Sequence, residues 1–462
     1  MLNFSPAKNL NMKEYKAYNS RNYLEIPQLS NLDSVQRSAI KTVAQVLPFK
    51  TNNYVVNELI DWDNFENDPM FILNFPQKDM LTRYDFNELS RMLERNTPKK
   101  ELLTFVNSIR EKMNPHPAGQ LEHNVPTLNG EKIRGIQHKY RETMLFFPSQ
   151  GQTCHAYCTF CFRWPQFTGM SEIKFAMKQT GLMIEYLKQN PEITDVLFTG
   201  GDPMVMKASI LKDYINAILD ADLPHVKVIR IGTKSLSFWP YRYLTDPDAQ
   251  EILDLFKKVS DRGIHLALMA HFNHHRELET EAVTAAVRKI RETGAQIRTQ
   301  SPILNHINAD ADVWATMWRK QVDMGMIPYY MFMARDTGAQ NYFGVNMESA
   351  LNIFRDAYQQ VSGICRTVRG PSMSAGPGKV CISGISEIRG EKVYVLDFIQ
   401  GRVPEWVGKP FFAKYDPKAL WLNELEPAFG EKEFFYQKEY HKLMKINKLP
   451  GRSLSSEDLQ SA

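Results

Sequence analysis

The sequence predicts an α/β protein: a partial barrel of six strand–helix units, with a helical N-terminal domain before it and a C-terminal extension after it. Three observations predict this. From about residue 143, short β-rich apolar runs alternate with amphipathic helical segments, six times over. Such alternation argues a parallel sheet with helices outside, wound by right-handed crossovers. A full barrel needs eight units, so six give a partial one. Finally, the residues able to carry chemistry recur just after the strands, where parallel-sheet enzymes place their ligands.

Residues 1–135 form the N-terminal domain in this reading. Apolar residues recur at helical spacing over 34–46 and 85–107, with charges between them. Asn67-Asp-Pro and Pro115-His-Pro-Ala-Gly are turn or linker signals. No chemistry is visible in this part. The barrel spans 136–362. Its predicted strands are 144–147, 194–199, 226–231, 264–270, 296–300 and 328–333. Its helices are 171–188, 207–219, 249–260, 278–293 and 311–324, with a last one at 347–361. Residues 363–462 form the extension. It is aromatic and charged beyond about 400 and ends in a polar tail, LPGRSLSSEDLQSA, that reads as frayed.

Composition narrows the class. Hydrophobic residues make up 43% and charged residues 23%, enough for an ample core. A net charge of +4 over 462 residues gives no reason to expect nucleic acid or an acidic membrane as partner. The N-terminus lacks the apolar core of a signal peptide, and no apolar run approaches a membrane span. Three of the five cysteines cluster and two stand alone, which suits a reducing cytoplasm rather than a disulfide scaffold. Cys365 and Cys381 read as small buried hydrophobes.

The clustered cysteines carry the chemistry. Cys154, Cys158 and Cys161 follow the first strand with the spacing Cys-x3-Cys-x2-Cys. Thiolates select iron–sulfur clusters, zinc or Cu(I). A zinc knuckle wants a fourth Cys or His, and His155 adjoins Cys154 too closely to be an obvious one. Three thiolates on a four-iron cluster leave one iron open to a small molecule. The spacing resembles the signature of the radical S-adenosylmethionine (SAM) enzymes, in which the open iron takes the amino and carboxylate groups of SAM.

The later strand ends carry further candidates. Gly200, Gly201 and Asp202 end the second strand. The glycines let backbone approach a ligand, and Asp202 can accept from an ammonium group. Thr233 and Lys234 end the third and suit a carboxylate. His271, in the run His271-Phe-Asn-His-His, ends the fourth and suits substrate or cofactor. Gln300 ends the fifth and suits adenine or ribose. Arg163 lies two residues past the last cysteine. Lys379 follows the glycine-rich turn Ala375-Gly-Pro-Gly, where a lysine can bond to pyridoxal phosphate (PLP). Taken alone, each of these also reads as an ordinary turn or a solvated side chain.

Seven segments in order, CHAYCTFCFR, DVLFTGGDP, IRIGTK, AHFNHH, RTQSPIL, IPYYMF and AGPGK, resemble the lysine 2,3-aminomutase family of PLP-dependent radical SAM enzymes over roughly residues 45–400. The resemblance implies a six-unit partial barrel, a [4Fe-4S] cluster on the three cysteines, SAM, and PLP on Lys379. It implies that Arg163 holds the substrate α-carboxylate and that Lys139, Tyr140 and Arg141 contact the PLP phosphate. The implied reaction moves an α-amino group to the β-carbon. A reducing electron-donor protein and assembly into a homo-oligomer are implied as well.

Two departures from that family bear on the substrate and on metal. Lysine-specific members hold the distal ammonium with two aspartates; those positions here are Arg335 and Ser372. A guanidinium is always charged and cannot bind an ammonium. Arg335 suits a carboxylate instead, as in glutamate-type members, so an acidic or other non-lysine amino acid is expected. Asp336, next in the chain, keeps a basic or neutral substrate open, and an ion pair with Asp336 is the structural alternative for Arg335. Some lysine-specific members also bind a structural zinc on C-terminal cysteines. With only Cys365 and Cys381 left, none is expected here.

Overall fold

The computed structural model describes residues 13–115, 122–169 and 175–446. The linker expected after Pro115, the start of the helix expected from residue 171 and the polar tail lie outside the described residues or run beyond them. Among the described residues there are fifteen strands. Two short ribbons come first, β1 (Ala17–Asn19) with β2 (Lys50–Asn52), and β3 (Thr127–Leu128) with β4 (Glu131–Lys132). One eleven-stranded sheet holds the rest: β5 (Ile136–Tyr140), β6 (Thr143–Phe146), β7 (Asp195–Phe198), β8 (Val228–Thr233), β9 (His265–His271), β10 (Gln296–Pro302), β11 (Ile327–Phe332), β12 (Arg369–Ser374), β13 (Gly378–Ile388), β14 (Glu391–Gly401) and β15 (Pro410–Lys414). They neighbour one another in chain order. Strands β6 to β12 run parallel; β5 at one edge and β13 to β15 at the other run antiparallel.

The six expected strands are therefore β6 to β11. Their crossover helices, Thr180–Gln189, Ala208–Asp220, Ala249–Asp261, Glu281–Glu292, Ala311–Asp323 and Met347–Gln359, fall close to the expected ranges, except that the first, expected from 171, begins at Thr180, because residues 175–179 are drawn to the sheet end, where Met177 bridges to Pro148. Each rests on simple local chemistry. Asp310, Thr280 and Asn346 cap three of the helices with side-chain oxygens on backbone N–H groups. In β8 burial alternates: Ile229, Ile231 and Thr233 are buried, while Arg230 and Gly232 are half-exposed and face the lumen.

The partial barrel stands, with one strand more than expected. The last helix returns the chain to a seventh parallel strand, β12. Gly370 and Pro371 hide it from the sequence pattern, because proline and glycine are punctuation in most strands. Here they sit where β12 pairs loosely with β11, at Tyr330↔Arg369 and Phe332↔Ser372, across a register shift. The extension then forms a hairpin on the same sheet. Its two-residue turn, Arg389-Gly390, has positive φ at both positions, as a type I′ turn demands. The register places Lys379 on β13 opposite Gln400 on β14.

The core has two parts. One fills the barrel and continues into the C-terminal strands through Tyr394, Leu396, Phe398 and Trp406. The other gathers the N-terminal helices around residues of the barrel's upper loops, including Ala156, Trp164, Phe238, Trp239 and Phe343. The N-terminal part thus packs on the end of the barrel that holds the candidate chemistry. Among the described residues no helix is long and apolar enough to cross a membrane.

Candidate functional site

A cavity of ≈ 390 Å³ opens at the C-terminal ends of the parallel strands. That is within the range of small-molecule sites. It brings together Cys154, Cys158, Cys161, Arg163, Gly200, Gly201, Asp202, Thr233, Lys234, His271, Gln300, Tyr140, Arg335 and Lys379. Residues up to 239 positions apart thus share one cavity: each parallel strand delivers its following loop to the same end, and the antiparallel edge strands β5 and β13 add Tyr140 and Lys379.

The cysteine loop is held from three directions. Gly201 N–H donates to the Gly151 carbonyl at 3.1 Å and Asp202 N–H to the Thr153 carbonyl at 2.7 Å. The two glycines make that approach possible. A Cβ on Gly201 would lie 2.4 Å from the Thr153 carbonyl oxygen, and Gly200 has φ +145. The pair therefore serves loop packing, a role the sequence reading had given to ligand approach. Gly201→Ala is expected to lower stability by about 1–3 kcal/mol, as overpacking does, and to push the cysteine loop outward. Thermal melting checks this, and an unchanged melting temperature would contradict it.

The N-terminal ribbon supplies the second hold. Lys50 Nζ donates to the Cys154 carbonyl at 2.7 Å, and the Tyr15 hydroxyl to the His155 carbonyl at 2.7 Å. Asn52 Nδ2 reaches the His155 carbonyl at 3.2 Å and the Phe238 carbonyl at 2.9 Å. Thr159 supplies the third, donating its N–H to Leu73 and its hydroxyl to Ile72. Sequence reading found no chemistry in the N-terminal part, since these contacts join residues about 85 to 190 positions apart.

The thiols are all free. Burial first, and then Asp202 and the other two thiols, raise Cys154 well above the ordinary thiol range; burial raises Cys158 against the opposing charge of Lys234, and burial also raises Cys161. Three bare thiolates would not coexist here, whereas cationic irons supply the compensating charge. Among the described residues no three His, Cys, Asp or Glu side chains are arranged to hold a single metal ion. A four-iron cluster needs no such convergence, since each thiolate takes a different iron. The donor set fits a cluster.

Two of the expected SAM contacts are already engaged inside the protein. The Asp202 carboxylate accepts from the Thr233 hydroxyl at 2.7 Å, Met204 N–H at 2.9 Å and Lys234 N–H at 2.9 Å. Lys234 Nζ donates to Glu277 at 2.6 Å, Asn273 Oδ1 at 2.9 Å and the His271 carbonyl at 3.2 Å. Glu277 is wholly buried. Buried charges demand such partners, so Asp202 and Lys234 order the wall and leave less capacity for a ligand. His271 is different. Its Nε2 is buried with no partner, and burial, reinforced by Lys234, holds the ring neutral.

Arg163 has the most open capacity. Its guanidinium is buried over the Phe147 ring, 4.3 Å from the centroid, and Nε and Nη2 lack partners. Burial, with Arg335 nearby, brings its pKa down to about 10, still fully charged at neutral pH. A buried cation with idle donors fits an anion, and the guanidinium fork suits a carboxylate.

Lys379 lines the same cavity. Nζ donates to Gln400 Oε1 at 3.1 Å and lies 3.8 Å from the centre of the Tyr330 ring. Burial, then Arg230 and Arg369, bring its pKa down to about 7. An ordinary lysine titrates near 10.4. The amine is therefore largely neutral at physiological pH, the state a nucleophilic lysine needs. Sequence reading missed Tyr330, Gln400, Arg230 and Arg369 in this setting, although Tyr330 and Arg230 lie inside the quoted motifs.

Beside Lys379, three consecutive carbonyls are held by three cations. Arg335 Nη2 donates to Ser374 at 3.0 Å, Lys139 Nζ donates to Ala375, and Arg402 Nε donates to Gly376 at 2.9 Å. Burial, then Arg402, Arg335 and Lys379, drive Lys139 well below the usual lysine range. Such crowded positive charge fits a phosphate. Tyr140 lines the cavity, 5.2 Å from Lys139 Nζ. Arg141 is exposed at the β5–β6 turn and does not line the cavity. Ser372 is fully buried, and its hydroxyl donates to the Met331 carbonyl at 3.3 Å, so it too is turned away. Arg335 does line the cavity, against Phe162; Asp336 does not.

Comparison with known proteins bears on the whole arrangement. No family model matches the chain. A protein of Aquifex aeolicus described as "Putative L-lysine 2,3-aminomutase" is 30% identical over 408 residues, 88% of this chain and 96% of its own. The L-lysine 2,3-aminomutase of Clostridium subterminale is 28% identical over 50% of this chain and 52% of its own. The glutamate 2,3-aminomutase of Clostridioides difficile is 30% identical over 46% and 47%. A solved structure of Streptococcus suis SuiB bound to S-adenosylmethionine has a TM-score of 0.35 at 11% identity, covering 60% of this chain and 58% of that one, too distant to carry an argument. The length and near-complete coverage of the first match decide the matter: the chain belongs to the lysine 2,3-aminomutase family.

Proposed function

We propose that this chain is a 2,3-aminomutase for an acidic α-amino acid, with a [4Fe-4S] cluster on Cys154, Cys158 and Cys161, SAM as co-substrate and PLP on Lys379. One observation carries the reading. A single cavity is lined by three thiols, an idle, buried Arg163 and a lysine amine whose pKa burial brings down to about 7. When bound, these groups supply a hydrogen-abstracting radical and a conjugated ring over which an unpaired electron spreads.

The chain's own work is binding, orientation and exclusion of water. Arg163 holds the α-carboxylate through Nε and Nη2. Lys139 and Arg402 do not line the cavity; they hold the Ala375 and Gly376 carbonyls behind its wall, where their charge would act on the phosphate, and Tyr140 lines the cavity beside them. Tyr330 and Gln400 fix the Lys379 amine in place. Thr233, His271, Gln300, Gly200 and Gly201 shape the SAM side of the cavity. Held this way, reacting atoms gain effective concentration, and a buried site protects a radical from solvent.

The substrate class rests on charge. Arg163, Arg230 and Arg335 line the cavity; Arg230 is paired with Asp195 at 2.8 Å, and the one carboxylate of the lining among the described residues, Asp202, is engaged in hydrogen bonds within the wall, so Arg163 and Arg335 carry the charge argument. A second carboxylate on the substrate suits Arg335. Loss of a hydrogen bond to a charged group costs about 1.5–3 kcal/mol. Arg335→Gln is thus expected to lower kcat/KM for the acidic substrate roughly 10- to 100-fold. The assay supplies glutamate, aspartate, lysine, arginine and alanine with SAM and a reductant, and measures the β-isomer. Lysine turning over faster than all the others would overturn the acidic assignment. The same reading includes a separate electron-donor protein, assembly of the chain with copies of itself and a cytoplasmic setting.

A further inference from the structure

We infer that Lys50, on the N-terminal ribbon, is a positioning residue that sets the reduction potential of the cluster. This rests on the proposal that Cys154, Cys158 and Cys161 carry one. Lys50 is far from the barrel in sequence, yet its ammonium donates to the carbonyl of Cys154 at 2.7 Å. Its position is fixed from both sides of the ribbon. Tyr157 N–H donates to the Lys50 carbonyl at 2.7 Å, and the Tyr15 and Tyr157 rings stand 5.9 Å from Nζ. The charged neighbour that acts on it is the Cys154 thiol; no carboxylate among the described residues does. The ammonium is thus half-buried, without a counter-ion, and attached to the loop of a cluster ligand.

The physics has a definite sign. Reduction adds one electron to the cluster from an external donor, and no bond forms or breaks. The reduced cluster is more negative, so a fixed cation nearby stabilises it and raises the potential. Net charge and hydrogen bonds around the cluster are the protein's main means of setting that potential. Among the described residues other cations face the site: Lys234 is paired with Glu277 at 2.6 Å, and Arg163, buried with idle donors, is the group proposed to take the substrate carboxylate. Lys50 has neither a carboxylate partner nor a proposed ligand, so its charge is left to act on the cluster.

The test is a redox titration of anaerobically reconstituted full-length chain, followed by electron paramagnetic resonance, with iron and sulfide measured in each sample. Lys50→Met is expected to shift the reduction equilibrium at least tenfold toward the oxidised cluster, about 59 mV for one electron. Lys50→Arg, which keeps the charge, is expected to remain within twofold of the parent. A Lys50→Met chain with full iron and a potential within twofold of the parent overturns the inference. If the methionine chain fails to hold four irons, Lys50→Arg decides. A parental potential there supports the role of charge, and a tenfold fall despite the retained charge overturns it. Absence of iron from every chain, the parent included, would instead remove the cluster reading itself.

Discussion

Lys379→Ala abolishes turnover while the chain keeps its full iron and sulfide. The loss is expected to be on the order of 10⁴-fold or more, because the lysine converts a bimolecular encounter with PLP into a held arrangement. Absorbance separates this from general damage. The parent, mixed with PLP, is expected to show a yellow band that borohydride fixes to the protein; the alanine chain shows only the free cofactor. An unchanged, borohydride-fixable band would remove Lys379 from the assignment. The pH dependence makes the claim sharper. A lysine captures an aldehyde only as the neutral amine. With its pKa near 7, half the amine is available at pH 7. Capture should therefore fall about tenfold per unit below pH 7 and level off above about pH 8, whereas a lysine of ordinary pKa would still be gaining at pH 9. A profile still rising at pH 9 would show that burial beside Arg230 and Arg369 does not set the amine's state.

Cys158→Ala is the second large effect. Removing one of three thiolates leaves a cluster two ligands short of four, with its open iron no longer defined. Iron and sulfide are expected to fall to trace levels, the brown colour to vanish, and turnover to drop by roughly 10⁶-fold, to the uncatalysed background. Far-UV dichroism should remain that of the parent, because Cys158 packs only at the margin of the core. The companion Cys365→Ala should keep iron in full, since Cys365 is buried among Val361 and Val368 in the barrel core and lies outside the cavity. Parental iron in the Cys158→Ala chain would sink the three-thiolate cluster.

Several expectations changed once side chains had neighbours. Asp202 and Lys234 looked like free ligands in the sequence because each follows a strand. In the fold each is buried, and a buried charge recruits partners from the protein first. Gly200 and Gly201 looked like a ligand cradle, and they instead admit the cysteine loop against the strand end. The shift of β12 out of view has a similar origin. Gly370 and Pro371 interrupt the apolar pattern, and only pairing with β11 and β13 makes that segment a strand.

The chain's own residue order determined a good deal: six parallel strands with their helices and the three clustered thiols after the first strand, whereas Arg163 and Lys379 stood out through the resemblance of their motifs to the aminomutase family. These are local signals, carried by alternation, spacing and adjacent residue types, and local signals survive without knowledge of the fold. Tertiary structure alone decided which charges stay open and which are consumed. Lys379 has its pKa brought down to about 7 because it is buried beside Arg230 and Arg369, and the cysteine loop is gripped by residues 15, 50 and 52. Electrostatics and burial act through space, and no reading along the chain measures that distance.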